Sequence, residues 1–172
     1  MADIKIKYPA SNADTVAITI TLASLASSTA WAGRASTAIS NSSNLDLDHL
    51  VSGKIKLGTS PTASRTVQVY AYAAQSISSG TPTYPDSITG TDAVKTMTSA
   101  NVAYGCLRFL WAGTTDATTG LVLEMPPTSI ASVFGQLPTY WGLFVMHDSG
   151  VNLDSTGGNH SFQYARIQGQ SV

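Results

Sequence analysis

Charge is what this chain has least of: nine Lys and Arg against ten Asp and Glu in 172 residues, for a net charge of −1. Nucleic-acid phosphates demand clustered Lys and Arg, and here the basic residues are scattered, so no nucleic-acid partner is expected. A basic amphipathic face for a membrane surface is missing too, and no stretch approaches the roughly 20 apolar residues of a membrane span. Cysteine occurs once, at Cys106, which excludes an intrachain disulfide and reads as a small buried residue in a strand. Glutamate also occurs once, at Glu124. Helix surfaces are usually laced with Glu and Lys, so this scarcity argues against a helical protein.

In place of charge the chain carries Ser and Thr, 43 residues together. Thr, Val and Tyr suit strands, whereas Ser, Gly and Pro suit turns, so the composition predicts an all-β fold. The clearest single element is residues 64–74. Val67, Val69, Ala71 and Ala73 share one parity, Thr66, Gln68, Tyr70 and Tyr72 the other, and a pleated strand sends the two to opposite faces. The tyrosine face is apolar enough to be covered as well. The length suits one domain, residues 14–172, preceded by a short N-terminal arm, residues 1–13.

Along the chain, Lys5, Lys7 and the run 16–26 imitate a secretory signal, but Asp14 and the alternation of Thr15, Thr19 and Thr21 with Val16, Ile18, Ile20 and Leu22 read as a strand over 14–22. Residues 45–50 suggest a short strand with Leu45 and Leu47 inward, ended by a break at Gly53. Residues 54–57 alternate and lead through 59–63 into the central strand, so those two are expected to pair as a hairpin. A long loop, 75–92, exposes Tyr84. Residues 105–112 form a strand with Leu107, Phe109 and Trp111 on one side, hairpin-paired to 121–125, where Pro126 and Pro127 stop the chain's extension. Residues 140–147 are apolar on both faces, and 160–168 close the chain with Phe162 and Tyr164 on one parity. These strands predict an antiparallel β-sandwich, jelly-roll-like, with Val67, Val69, Phe109, Leu121, Leu123, Leu143 and Val145 in its core.

Signals for chemistry are sparse. His49, His147 and His160 are the only imidazoles, and the neighbours Asp48-His49 and His147-Asp148 point to opposite faces if on strands, so no dyad is expected. No Gly-x-Ser-x-Gly elbow is present. Asp46 with Asp48, or Asp148 with Asp154, offers oxygen ligands for calcium without a motif's spacing. The expectation is no enzyme, no metal and no cofactor. Tyr70, Tyr72, Tyr84, Tyr140 and Trp141 suggest a platform for sugar rings, weighed against ordinary core packing.

In size and texture, across residues 64–74, 105–125 and 136–168, the chain resembles capsid decoration (cement) proteins of tailed bacteriophages. The resemblance implies a β-rich homotrimer on the outer surface of the virion that clamps neighbouring major capsid subunits. The arm would serve as strap, with Ile4 and Ile6 filling alternate pockets while Lys5 and Lys7 face out. Tyr70, Tyr72 and Tyr84 are the further candidate contacts. The competing reading is a carbohydrate-binding module or the receptor-binding tip of a tail fibre.

Overall fold

The computed structural model describes residues 4–9 and 15–171, the Ser171 side chain excepted; the start of the expected first strand, Asp14, and part of the arm lie outside them. Two antiparallel sheets face one another. The first has the order β1 (Ile4–Lys7), β13 (Ser161–Ser171), β5 (Asp48–Lys56), β11 (Val122–Ser129), with β2 (Thr15–Ala17) also on β13. The second has the order β10 (Arg108–Thr114), β6 (Thr66–Ala73), β12 (Tyr140–His147), β3 (Ala32–Ala35), β9 (Ala93–Thr96), with β4 (Ile39–Ser40) also on β12. A small hairpin, β7 (Ser76–Ser78) and β8 (Thr81–Thr83), lies within the long loop. The chain therefore forms the all-β sandwich expected of it; its strand orders do not by themselves make a jelly roll.

Period-2 patterning decides the core. Val67, Val69 and Ala71 of β6 and Trp141, Leu143 and Val145 of β12 face Val51, Ile55, Met125, Phe162 and Tyr164 of the first sheet. Each fully buried side chain of this size stabilises by roughly 1.5–3 kcal/mol at most. The opposite parity, Tyr70, Tyr72, Phe144 and Met146, is also covered. Its cover comes from Ile88, in the loop before β9, and from Met97, Ala103 and Leu107, in and beside helix α1 (Ala100–Cys106). The middle strands of the second sheet, β6 and β12, are thus buried on both faces, whereas among the described residues the outer face of the first sheet has no such layer.

Several local expectations are corrected. β5 pairs with β11 and β13, not with the central strand, so residues 59–63 cross between sheets instead of turning a hairpin. Likewise β10 pairs with β6 while β11 pairs with β5, which places the supposed hairpin partners in opposite sheets. Phe109 is 54% exposed. The register slips between Phe109 and Trp111, so Leu110 turns inward and Phe109 outward, the effect of a bulge on side-chain parity. Leu121 and Leu123 are half-buried against the core. Cys106 ends α1 instead of starting a strand. Gly53 lies inside β5, opposite Phe162, whose ring fills the space a Cβ would need. Pro126 and Pro127 sit within β11 where the register shifts, a position open to proline because β11 is an edge strand. Leu45 and Leu47 are exposed at 76% and 52%.

Candidate functional site

Within the arm, Ile4–Lys7 lie along the chain's own last strand. β5 accompanies β13 only to the pair Ile167–Asp48; the four pairs from Lys7–Gln168 to Ile4–Ser171 continue as a two-stranded ribbon. Directly opposed residues of an antiparallel pair share a face. Lys5 and Lys7 therefore go with Gln170 and Gln168, on the parity that holds Phe162 and Tyr164 in the core. Ile4 and Ile6 share the outer face with Gly169, which has no side chain to cover them, and are 82% and 58% exposed. The same outer face continues inward through half-buried Ile167, Ala165 and Leu50. The result is an amphipathic ribbon, basic and amide-bearing on one side, isoleucine-bearing on the other. Among the described residues no strand pairs with the free edge of β1.

The tyrosines are placed differently from the expectation. Tyr72 is fully buried and donates from its hydroxyl to the Ser36 carbonyl at 2.7 Å; burial pushes its pKa far above the ordinary value. Tyr84 is half-buried, its ring edge-on to Tyr72 at 5.4 Å, and burial raises its pKa too. Tyr70 is 7% exposed and donates to Gln68 Oε1 at 3.2 Å. The expected contact face is thus covered by the chain itself. Trp141 is buried in the main core, so the five-ring sugar platform does not assemble.

The three histidines are all tied inward. Trp141 Nε1–H donates to His49 Nδ1 at 3.0 Å, which leaves Nε2–H to donate to Asp46 Oδ2 at 2.9 Å. Gln168 donates to the other Asp46 oxygen at 2.7 Å, and Asn41 holds the Asp46 backbone through both its amide atoms. Burial lowers the His49 pKa, outweighing Asp46, so the pair is a neutral imidazole beside a carboxylate with no side-chain exposure. His147 Nε2–H donates to the Leu25 carbonyl and its Nδ1 meets Ser149 Oγ at 2.9 Å, but Ser149 has no exposure and cannot reach a substrate. His160 Nε2–H donates to the Asp154 carbonyl and its Nδ1 accepts from Lys56 N. The Asp46–His49 pair was missed because it spans the turn before β5, where alternation gives no guide.

The candidate calcium ligands are likewise engaged by protein donors. Asp48 accepts from Ser129 Oγ, Ala131 N and His49 N. Asp148 accepts from Thr66, and Asp154 from Asn159 and Thr156, bonds that hold the Asp154 pKa down at about 2. Among the described residues no group of three or more His, Cys, Asp or Glu is placed to hold a metal ion, and no helix is long and apolar enough to cross a membrane. No family model, curated protein or solved structure matches this chain.

Proposed function

We propose that this chain is a non-enzymatic virion structural protein that binds the outside of a phage capsid and stabilises it by bridging major capsid subunits, with the β1 ribbon as its contact. The single observation that carries the reading is the free edge of β1 beside the uncovered Ile4 and Ile6. A strand with an open edge and one apolar face is built to be extended by a strand from another chain, backbone bonds giving affinity and alternate side chains giving selectivity.

Charge says which chain. Two copies of β1 pairing antiparallel would bring Lys5 opposite Lys5 or Lys7, because opposed residues share a face, and like charges so placed repel. An edge carrying Asp or Glu at alternate positions meets the lysines favourably, so the partner is a capsid subunit with an acidic edge. Four added backbone bonds at a net ~1 kcal/mol each hold only weakly once ordering costs are subtracted. A homotrimer, joined through other surfaces, presents three ribbons and gains by effective concentration what one lacks. Bound copies then favour the closed lattice by mass action, without chemistry.

The test is to delete residues 1–9 and measure occupancy on purified heads and the temperature at which the heads open. Loss of occupancy and of the stabilised opening temperature is expected. Unchanged occupancy would remove the ribbon from the mechanism, and a native position on the tail would refute the decoration reading.

A further inference from the structure

On the opposite sheet, well away from the ribbon, a cleft of about 230 Å³ opens beside β6 and the end of β12. Its aromatic walls are Trp31, Tyr70 and Tyr104. The Trp31 and Tyr104 rings lie 4.9 Å apart at 79°, forming a corner, and Tyr70 stands 5.5 Å from Trp31. Tyr104 is 67% exposed, on the helix α1 that buries its neighbour Ala103. Trp31 adopts a left-handed backbone, φ 53°, which a bulky residue rarely accepts. It is held there by the Met97 N–H on its carbonyl and by the β3–β9 pairing that begins one residue later. Strain of this kind persists only where surrounding structure enforces it, and it collects at ligand sites.

Polar groups complete the lining. Gln68 accepts the Tyr70 hydroxyl through its Oε1, which aims its amide nitrogen elsewhere. Among the described residues the Gln68 amide nitrogen, the Trp31 indole N–H and the Tyr104 hydroxyl make no protein hydrogen bond and none of them is a buried unpartnered atom, so they are open to water or a ligand at the cleft. Asp148 Oδ1 is taken by Thr66 N, while Oδ2 is only loosely met by Arg65 at 3.6 Å. A carboxylate in the cleft disfavours an anion, and the nearby guanidinium disfavours a cation. The mixture of ring faces with hydroxyl, amide and carboxylate groups suits a neutral ligand that has both C–H faces and many hydroxyls.

We propose that this cleft binds a neutral saccharide, one ring at a time. Its volume is below the ~300–1,000 Å³ of pockets that enclose drug-sized ligands, which fits a single ring and not a longer segment. Saccharide recognition thus moves from the platform expected of Tyr70, Tyr72, Tyr84, Tyr140 and Trp141 to the rings of Trp31 and Tyr104, with the nearly buried Tyr70 as the floor of the cleft. The apolar ring faces stack and exclude water, and the side-chain amide and carboxylate discriminate hydroxyl positions.

The experiment titrates the full chain with glucose, galactose, mannose and N-acetylglucosamine, following the Trp31 indole and Gln68 amide signals by nuclear magnetic resonance. A ligand of this size at ordinary efficiency binds with a Kd on the order of 1 mM. At least one sugar is expected to shift both signals saturably. Tyr104→Ala, at an exposed position that leaves the fold intact, should weaken binding about tenfold. Trp31→Gly, which accepts the positive φ without strain, should abolish it. Deleting residues 1–9 should leave it unchanged, so failure of the ribbon reading and failure of this one are separable. No shift with any of the four sugars at about 50 mM, far above the expected Kd, would overturn the proposal, as would wild-type affinity in both ring variants.

Discussion

Replacing Trp141 by Phe removes one hydrogen bond from a fully buried polar pair and changes how stability depends on pH. The indole N–H is the donor to His49 Nδ1, and both residues are at 0% exposure, so no solvent takes its place. Leaving a buried acceptor unpaired costs about 1–3 kcal/mol. The smaller ring also leaves part of the indole's space empty, adding ~1 kcal/mol. The total, about 2–4 kcal/mol, is a large fraction of the 5–15 kcal/mol typical of a domain. In the wild type the folded His49 pKa lies below 6.5, so as pH falls through that value the unfolded chain takes up the proton first. Stability is therefore full above pH 6.5 and lost below it, by at most about 1.4 kcal/mol per pH unit from this group. In Trp141→Phe the Nδ1 no longer faces an N–H, and the ring can protonate beside Asp46 with less penalty. Its acid loss is smaller, so the gap between mutant and wild type should narrow from about pH 8 to about pH 5.5. Urea denaturation of both proteins at the two pH values measures this. A cost below ~1 kcal/mol at the higher pH, or a gap that widens on acidification, would refute the assignment of donor and acceptor.

Gly142→Ala should cost at least about 1–3 kcal/mol in the same assay. A Cβ there overlaps the Tyr72 ring, which cannot retreat while its hydroxyl is tied to Ser36. Phe109→Ser should change stability by no more than about 0.5 kcal/mol, since the ring stands on the surface; a loss of several kcal/mol, as for a core aromatic, would return Phe109 to the interior.

What the sequence disclosed was periodicity, and what it withheld was pairing. β6, β12 and the start of β13 were legible because alternation names the buried face wherever a strand is regular: Val67, Val69, Phe162 and Tyr164 are all in the core. Alternation cannot say which sheet a strand joins, so residues 59–63, which fit a hairpin turn, turned out to lie on the crossing from β5 to β6. It also fails across a bulge, which is why Phe109 was assigned to the wrong face. α1 had a readable start, Ser99, whose hydroxyl caps Val102 N, but its Ala- and Gly-bearing turn lacks a helical stripe. For the candidate site, the alternation of Ile4, Lys5, Ile6 and Lys7 was readable, and the pairing with β13 that makes a ribbon of it was not. Tyr104 went unmarked because it lies on the helix that was missed.

The most direct test of the account is hydrogen exchange at Ile4–Lys7 in the free protein and on capsids. In the free chain the outward amides of an edge strand have no partner and exchange quickly. On the particle, strand addition should protect those amides and their neighbours at residues 168–170, while the Trp31 cleft keeps its free exchange pattern. Protection elsewhere with none at β1 would contradict the claim that this ribbon is what the protein docks with.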